Sequence, residues 1–140
     1  MRTLPLLMLT ACTSAAVDSA SSPCSEETRA QTLEAGATFS GESVTVDITA
    51  ATPATATVGS NTWTVALASA GAPLSGCSLS AQIAMPDHGH GGSAPELTED
   101  GDGVYTVQIE YTMGGYWEMD VAVTCDALED SVPVLVCVES

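Results

Sequence analysis

From residue 38 onwards, apolar and polar residues alternate with a period of two in a series of short segments. Such alternation is typical of β-strands that bury one face and expose the other. Turn signals rich in Gly and Pro separate the segments, and one long loop is predicted from Pro86 to Gly103. Strands are predicted around residues 44–48, 62–67, 78–85, 105–111, 117–123 and 132–138. The pattern indicates an all-β domain folded as an antiparallel β-sandwich.

Within each segment the apolar residues fall on one parity, which predicts the face that points to the core. The predicted inward residues are Val44, Val46 and Ile48; Trp63, Val65 and Leu67; Leu79, Ala81, Ile83 and Met85; Tyr105, Val107, Ile109 and Tyr111; and Trp117, Met119, Val121 and Val123.

The N-terminus has the features of an export signal. Arg2 is followed by a short apolar run, and Leu9-Thr10-Ala11-Cys12 resembles a bacterial lipobox. Residues 1–11 are therefore predicted to be a lipoprotein signal peptide, with Cys12 as the lipidated residue. The alternative is an ordinary secretory signal that is cleaved elsewhere. Residues 12–37 are predicted to form a flexible spacer with one short helix in Ser25–Ala35, and residues 38–140 the folded domain.

Cysteine parity agrees with export. With Cys12 lipidated, four of the five cysteines remain, and they allow three disulfide pairings in an oxidising compartment. Cys77 and Cys125 share the inward parity of their strands. If those strands are antiparallel neighbours, Cys77 pairs with Cys125 and Cys24 pairs with Cys137.

The charge of the chain excludes two classes of partner. The sequence holds 18 Asp and Glu against 2 Lys and Arg, a formal net charge of −16. Neither a nucleic-acid-binding face nor a polybasic membrane-binding helix can be built from two basic residues.

The chemistry-bearing segment is Met85-Pro-Asp-His-Gly-His-Gly-Gly92, which contains both histidines of the chain. His88 and His90 flank a glycine that lets the backbone bend, and imidazole is a common ligand of copper and zinc. A thioether at Met85, and a second at Met113 from a neighbouring loop, would favour Cu(I). The sequence therefore predicts a copper site made by Met85, His88, His90 and Met113.

Each of these residues also has a purely structural interpretation. Met85 continues an inward-facing stripe and would then belong to the core, Met113 would be a packing contact, and the histidines would be exposed loop residues. The acidic stretch Glu96–Gly103 lacks the spacing of a calcium loop and is better explained as a turn. No nucleophile elbow, phosphate loop or dinucleotide fingerprint is present, so no enzymatic activity is predicted.

Five short motifs in order resemble the YtkA-like domain family, which is related to FixH-type envelope proteins. They are Gly59-Ser-Asn-Thr-Trp-Thr-Val-Ala-Leu67, Gly71-Ala-Pro-Leu74, Met85-Pro-Asp-His-Gly-His-Gly91, Gly103-Val-Tyr105 and Met113-Gly-Gly-Tyr-Trp-Glu-Met119. The resemblance implies an immunoglobulin-like β-sandwich and a non-enzymatic, exported or membrane-tethered module. Some relatives are associated with copper handling or oxidase assembly. The four non-lipid cysteines are a departure from the family pattern.

Together these features predict a lipid-anchored protein of the bacterial cell envelope, facing the periplasm or the cell exterior. Its expected partners are a copper ion, the membrane through its lipid, and an envelope protein. The alternative function is a structural or docking module that binds no metal.

Overall fold

The computed structural model describes residues 21–140, which fold into two antiparallel β-sheets packed face to face. Ten strands and one 3₁₀ turn make up this part of the chain. They are β1 (Thr38–Ser40), β2 (Val44–Thr52), β3 (Gly59–Ser69), β4 (Ala72–Pro73), β5 (Ser78–Met85), the 3₁₀ turn (Pro86–His88), β6 (His90–Gly91), β7 (Glu96–Gly101), β8 (Val104–Tyr111), β9 (Gly115–Cys125) and β10 (Leu128–Val138).

Sheet I has the strand order β1-β2-β3-β8-β7, with β4 paired to the end of β3. Sheet II has the order β10-β9-β5-β6. The predicted all-β sandwich is confirmed. Because β5 and β9 are antiparallel neighbours, the end of β5, the start of β9 and the end of β10 lie at one end of sheet II. We call this the His end, since the His88–His90 loop follows β5.

The core consists of the inward faces that the alternation predicts. Trp63, Trp117 and the four alternate valines of β10 are fully buried, and Met85, Tyr105, Tyr111 and Met119 are at most 2% exposed. Leu79, nearest the end of β5 away from the His loop, is only partly buried. A period-two pattern thus located the core of both sheets.

The predicted loop from Pro86 to Gly103 contains a strand that the sequence pattern did not reveal. β7 pairs with β8 along the edge of sheet I, with register Leu97↔Val107 and Thr98↔Thr106. Its residues are exposed except for Leu97, which is partly buried against the core. An edge strand with one inward apolar residue has no alternation to detect, and acidic side chains on such an edge discourage pairing with another chain.

The described part of the predicted spacer differs from the expectation. Residues 25–35 form turns, bends and irregular backbone rather than the predicted short helix, and Gln31 makes a parallel bridge with Val136 of β10. Leu33 is buried at 2% exposure within the core cluster. This segment is therefore packed on the sandwich ahead of the predicted domain start at residue 38. The predicted signal peptide and Cys12 lie outside the described residues.

Both favoured disulfides are present, Cys77–Cys125 and Cys24–Cys137. Cys77 precedes β5 and Cys125 ends β9, where Ser78 pairs with Thr124. This bridge closes the end of sheet II opposite the His end. Cys137 pairs with Tyr116 near the start of β9, so the second bridge fixes the N-terminal segment beside the His end. Residues 21–140 contain no helix with the length and hydropathy needed to cross a bilayer.

Candidate metal site

The loop after β5 reverses the chain within four residues. Pro86 opens the 3₁₀ turn, since its fixed φ suits a first helical position and its missing N–H is not needed there. Gly89 then adopts the left-handed conformation (φ 66°), and its N–H donates to the carbonyl of Pro86 at 3.2 Å. The chain returns as β6, with His90 opposite Met85 and Gly91 opposite Ala84. The two histidines, His88 and His90, therefore lie in one short turn at the His end.

The two imidazoles are exposed, and their ring centres are 6.0 Å apart. A metal bonded to a ring nitrogen at about 2.0–2.1 Å lies roughly 3.2 Å from the ring centre, so two rings whose centres are more than about 6.4 Å apart cannot share one ion. The observed separation lies within this limit, and sharing further requires that a nitrogen of each ring point to the ion. Nδ1 of His90 lies 3.2 Å from the carbonyl oxygen of Gly91. With its proton on Nδ1 the ring donates to that carbonyl, and the lone pair of Nε2 is left for a metal.

Met85 lies inside the sandwich. It is 2% exposed, and a Cβ built on Gly115 would lie 2.8 Å from its terminal methyl carbon, so the glycine turn before β9 covers it closely. Of the two interpretations of Met85, membership of the core is the one that its burial supports. It reaches a metal only if this packing opens.

Met113 lies on the surface of the same end, in the turn between β8 and β9, and is 38% exposed. Its carbonyl accepts a hydrogen bond from the indole Nε1 of Trp117 at 3.0 Å. The ring of Trp117 in turn meets the His90 ring edge-on, with centres 5.8 Å apart. Trp117 therefore contacts the backbone of the methionine turn and the ring of His90, so both segments lie at the His end.

Trp117 also anchors the loop from below. It is fully buried and packs against Tyr111 with ring centres 5.4 Å apart and ring planes tilted by 57°. A Cβ at Gly92 would lie 2.6 Å from Ile83 and 3.5 Å from Trp117. Gly92 is thus a position where the backbone passes directly over the core, and a larger residue would require Ile83 or the loop to shift.

Asp87 is bound to Arg29 of the N-terminal segment. Nη1 and Nη2 of the guanidinium donate to the two carboxylate oxygens at 2.9 and 2.7 Å. Glu27 accepts two further bonds from the same guanidinium, at 2.9 and 2.7 Å, and the guanidinium carbon lies 3.9 Å above the ring centre of Tyr116. Asp87 is therefore occupied by a cation and is not a free oxygen donor beside His88.

The electrostatics follow from this cluster. Hydrogen bonds from Arg29 hold the pKa of Asp87 below its usual range and lower the pKa of Glu27 to about 2. Desolvation raises the pKa of Tyr116, whose hydroxyl donates to Glu118 at 3.0 Å. Both carboxylates beside the loop are thus anions held by one guanidinium.

Other potential donors do not join the loop. Within residues 21–140, no three His, Cys, Asp or Glu side chains are grouped so that they could hold a metal ion. The four cysteines there are disulfide-bonded. Imidazole nitrogen and thioether sulfur, the donor types of the candidate ligands, suit copper rather than calcium or magnesium.

Comparison with known proteins identifies the family. The YtkA-like family model matches residues 41–122. The chain belongs to the YtkA-like family. No curated protein and no solved structure matches it significantly. The match covers the histidine loop and Met113 but leaves out the N-terminal segment with Arg29, as well as Cys24, Cys125 and Cys137.

One part of the site in this YtkA-like domain was missed by sequence reasoning. Arg29 lies 58 residues before Asp87, and no periodic pattern connects them. The available signal was compositional, because Arg29 is the only basic residue after the predicted signal peptide. A lone cation in a strongly acidic chain is expected to be bound by carboxylates.

Proposed function

We propose that this YtkA-like protein is an envelope protein that binds a copper ion through His88, His90 and Met113. The observation that carries the proposal is the separation of the two exposed imidazoles, whose centres are 6.0 Å apart and so within reach of one ion. Met113 supplies an exposed side chain with a thioether at the same end of the domain, and its backbone carbonyl is bonded to Trp117, which contacts His90.

The chemistry of the donors favours Cu(I). Imidazole binds several transition metals, but a thioether is a soft ligand and adds affinity for Cu(I) over the hard ions that an acidic surface attracts. The cysteines of the described chain are held in disulfides, so methionine supplies the sulfur that remains available. Bound copper would be carried for storage, delivery or sensing.

The scaffold around these ligands supports a preformed site. His90 is positioned by strand pairing with Met85, by its bond to the Gly91 carbonyl and by contact with Trp117. Met85 supports the site from beneath as a core residue, because it is covered by the glycine turn. Less ordering is required when a ligand binds to side chains that are already held in place.

Attachment of the protein to the cell envelope is part of the proposal. The family assignment is consistent with an exported, membrane-tethered module facing the periplasm or cell exterior, with a lipid on Cys12 as the predicted anchor. Disulfides persist in such compartments, which agrees with the two bridges.

Anaerobic titration with Cu(I) against a competing chelator tests the proposal. The wild-type protein is expected to bind one equivalent saturably, and the His88→Ala/His90→Ala double variant is expected to lose this binding. Glu99→Gln/Asp100→Asn is the matched control, because it removes two charges from the edge strand β7 and leaves the loop intact. It should bind as the wild type does.

Two outcomes would contradict the proposal. Absence of saturable binding, or equal binding by the double histidine variant, would show that the loop is not a copper site. Under that result the alternative, a docking module with the loop as contact surface, is preferred.

A further inference from the structure

The N-terminal segment reaches the histidine loop through a single side chain. The Arg29 guanidinium makes a two-bond fork with Asp87, a second pair of bonds with Glu27 and a stacking contact with Tyr116. Asp87 lies directly before His88, inside the 3₁₀ turn. One side chain thus contacts the N-terminal segment, the histidine loop and the start of β9.

The segment that carries Arg29 is itself fixed to the sandwich. On one side of Arg29, Cys24 is bonded to Cys137, whose strand partner is Tyr116. On the other side, Gln31 bridges Val136, and the side chain of Leu33 is buried in the core. The chain on both sides of Arg29 is therefore fixed to the sandwich. The backbone from which the Arg29 side chain reaches Asp87 is held in place.

Besides Arg29, the loop is restrained by the short β5–β6 pairing and by the contacts of His90 and Gly92 with the core. Among the backbone hydrogen bonds around it are those from the N–H groups of Gly89 and Gly92, to the carbonyls of Pro86 and Ile83. β6 is two residues long and lies at the edge of sheet II. The side chains of Asp87, His88 and His90 are exposed and gain little from burial. A short exposed turn of this kind opens readily unless a side chain holds it.

We infer that Arg29 is a positioning residue for the metal loop, acting through Asp87 and braced by Glu27 and Tyr116. An isolated exposed ion pair contributes little, but here the bonding is bidentate on two carboxylates and the guanidinium is stacked on an aromatic ring. Lysine cannot reproduce this fork. The inference about metal affinity rests on the proposed function, whereas the inference about loop order does not.

Hydrogen exchange of the metal-free protein tests the loop directly. In Arg29→Gln, the amides of Gly89 and Gly92 are expected to exchange roughly threefold to tenfold faster, because the loop loses its link to the segment. Asp87→Asn should give the same change, and the double variant Arg29→Gln/Asp87→Asn should add nothing further, since both changes break one contact.

Gln82→Glu is the matched control for charge. It changes the net charge by the same amount on the exposed face of β5 and touches none of these groups. It should leave the exchange of Gly89 and Gly92 unchanged. Unchanged exchange in Arg29→Gln, or an equal change in Gln82→Glu, would overturn the inference.

Copper binding supplies the second readout. Arg29→Gln is expected to weaken Cu(I) affinity roughly threefold to tenfold and to alter the ring nitrogen chemical shifts of His88 and His90 in the metal-free protein, while Arg29→Lys restores neither fully. If the wild type binds no Cu(I), the proposed function fails and the exchange result still decides the role of Arg29. If Arg29→Gln binds Cu(I) as the wild type does, the positioning role for metal binding is wrong.

Discussion

Two buried tyrosines of β8 differ in whether their hydroxyl groups have a hydrogen-bond partner. Tyr105 and Tyr111 face the same way and are 2% and 1% exposed. The Tyr105 hydroxyl donates to the carbonyl of Leu74 at 3.1 Å, whereas the Tyr111 hydroxyl is buried without a hydrogen-bond partner among residues 21–140. Burial raises the pKa of Tyr111 far above its usual value.

Removal of each of the two hydroxyls should affect the free energy of unfolding differently. Tyr111→Phe is expected to leave the free energy of unfolding unchanged or to raise it by up to about 1 kcal/mol, because it removes an unpaired buried polar group. Tyr105→Phe should lower it by about 1 kcal/mol, because a paired carbonyl loses its donor. Urea denaturation of both variants measures the difference. A larger loss in Tyr111→Phe than in Tyr105→Phe would contradict the assignment.

Asp130 of β10 holds the turn between β1 and β2. Its carboxylate accepts backbone N–H bonds from Ser43 and Val44 at 2.8 Å and from Glu42 at 3.2 Å, and a Cβ at Gly41 would lie 2.6 Å from one carboxylate oxygen. These bonds, with that of Ser43 foremost, keep the pKa of Asp130 below its usual range. A charged residue of sheet II thereby caps a turn of sheet I.

This capping makes part of the stability depend on pH. Because the folded pKa is depressed, the contribution of Asp130 is complete above the unfolded pKa of about 3.9 and is lost as pH falls through the folded value. The gap in unfolding free energy between wild type and Asp130→Asn should therefore be largest near pH 7, at about 1 kcal/mol, and shrink in acid. Glu129→Gln, its exposed neighbour, should stay within about 0.5 kcal/mol of wild type at pH 7. A gap that widens below pH 4 would contradict the role of Asp130.

The residue types in the sequence identified the histidine loop. They did not show which candidate ligands are exposed, which are buried and which are bound by another residue. The histidines could be singled out because both lie in one glycine-rich stretch, and they are exposed and close together. Met85 lies on an inward stripe, so the same parity that predicted a strand also indicated burial, and burial is what the structure has. The bonding of Asp87 by Arg29 depends on a contact across 58 residues and has no local signature.

At the scale of elements, alternation predicted the strands that bury a full face. β2, β3, β5, β8, β9 and β10 each carry a buried row of alternate side chains. The strands that were missed, β1, β4, β6 and β7, are short or lie at sheet edges, where pairing comes from backbone groups and few side chains are buried. The short helix predicted in residues 25–35 did not form, since tertiary contacts of Leu33 and Gln31 outweighed weak helical propensity.

The two disulfides restrain opposite ends of sheet II and should have separable local effects. Cys24→Ser/Cys137→Ser frees the segment that carries Arg29, so the amides of Gly89 and Gly92 are expected to exchange faster under native conditions. Cys77→Ser/Cys125→Ser acts roughly 25 Å away along β5 and should leave these two amides nearly unchanged. Each loss is expected to lower the free energy of unfolding by about 2–4 kcal/mol.

Exchange rates of Gly89 and Gly92, measured in both double variants at equal distance below their melting midpoints, provide the comparison. Equal acceleration in the two variants would mean that the loop reports overall stability only. In that case the N-terminal segment has no specific effect on the order of the histidine loop.

For the whole molecule, the sandwich collects distant parts of the chain at one end. The end of β5, the start of β9, the C-terminal part of β10 and the N-terminal segment meet there, and the YtkA-like match includes the first two. The charge of −16 favours solubility and attracts cations without selecting among them. The proposed function therefore requires that selectivity for copper come from the imidazole and thioether donors at the His end.

X-ray absorption of the Cu(I)-loaded protein tests this claim most directly. Nitrogen scatterers from two imidazoles together with one sulfur scatterer are expected around the copper ion. The sulfur should disappear in Met113→Leu and persist in Met119→Leu, whose thioether is in the core. A copper site with oxygen ligands and no sulfur, or a sulfur signal that survives Met113→Leu, would contradict the account.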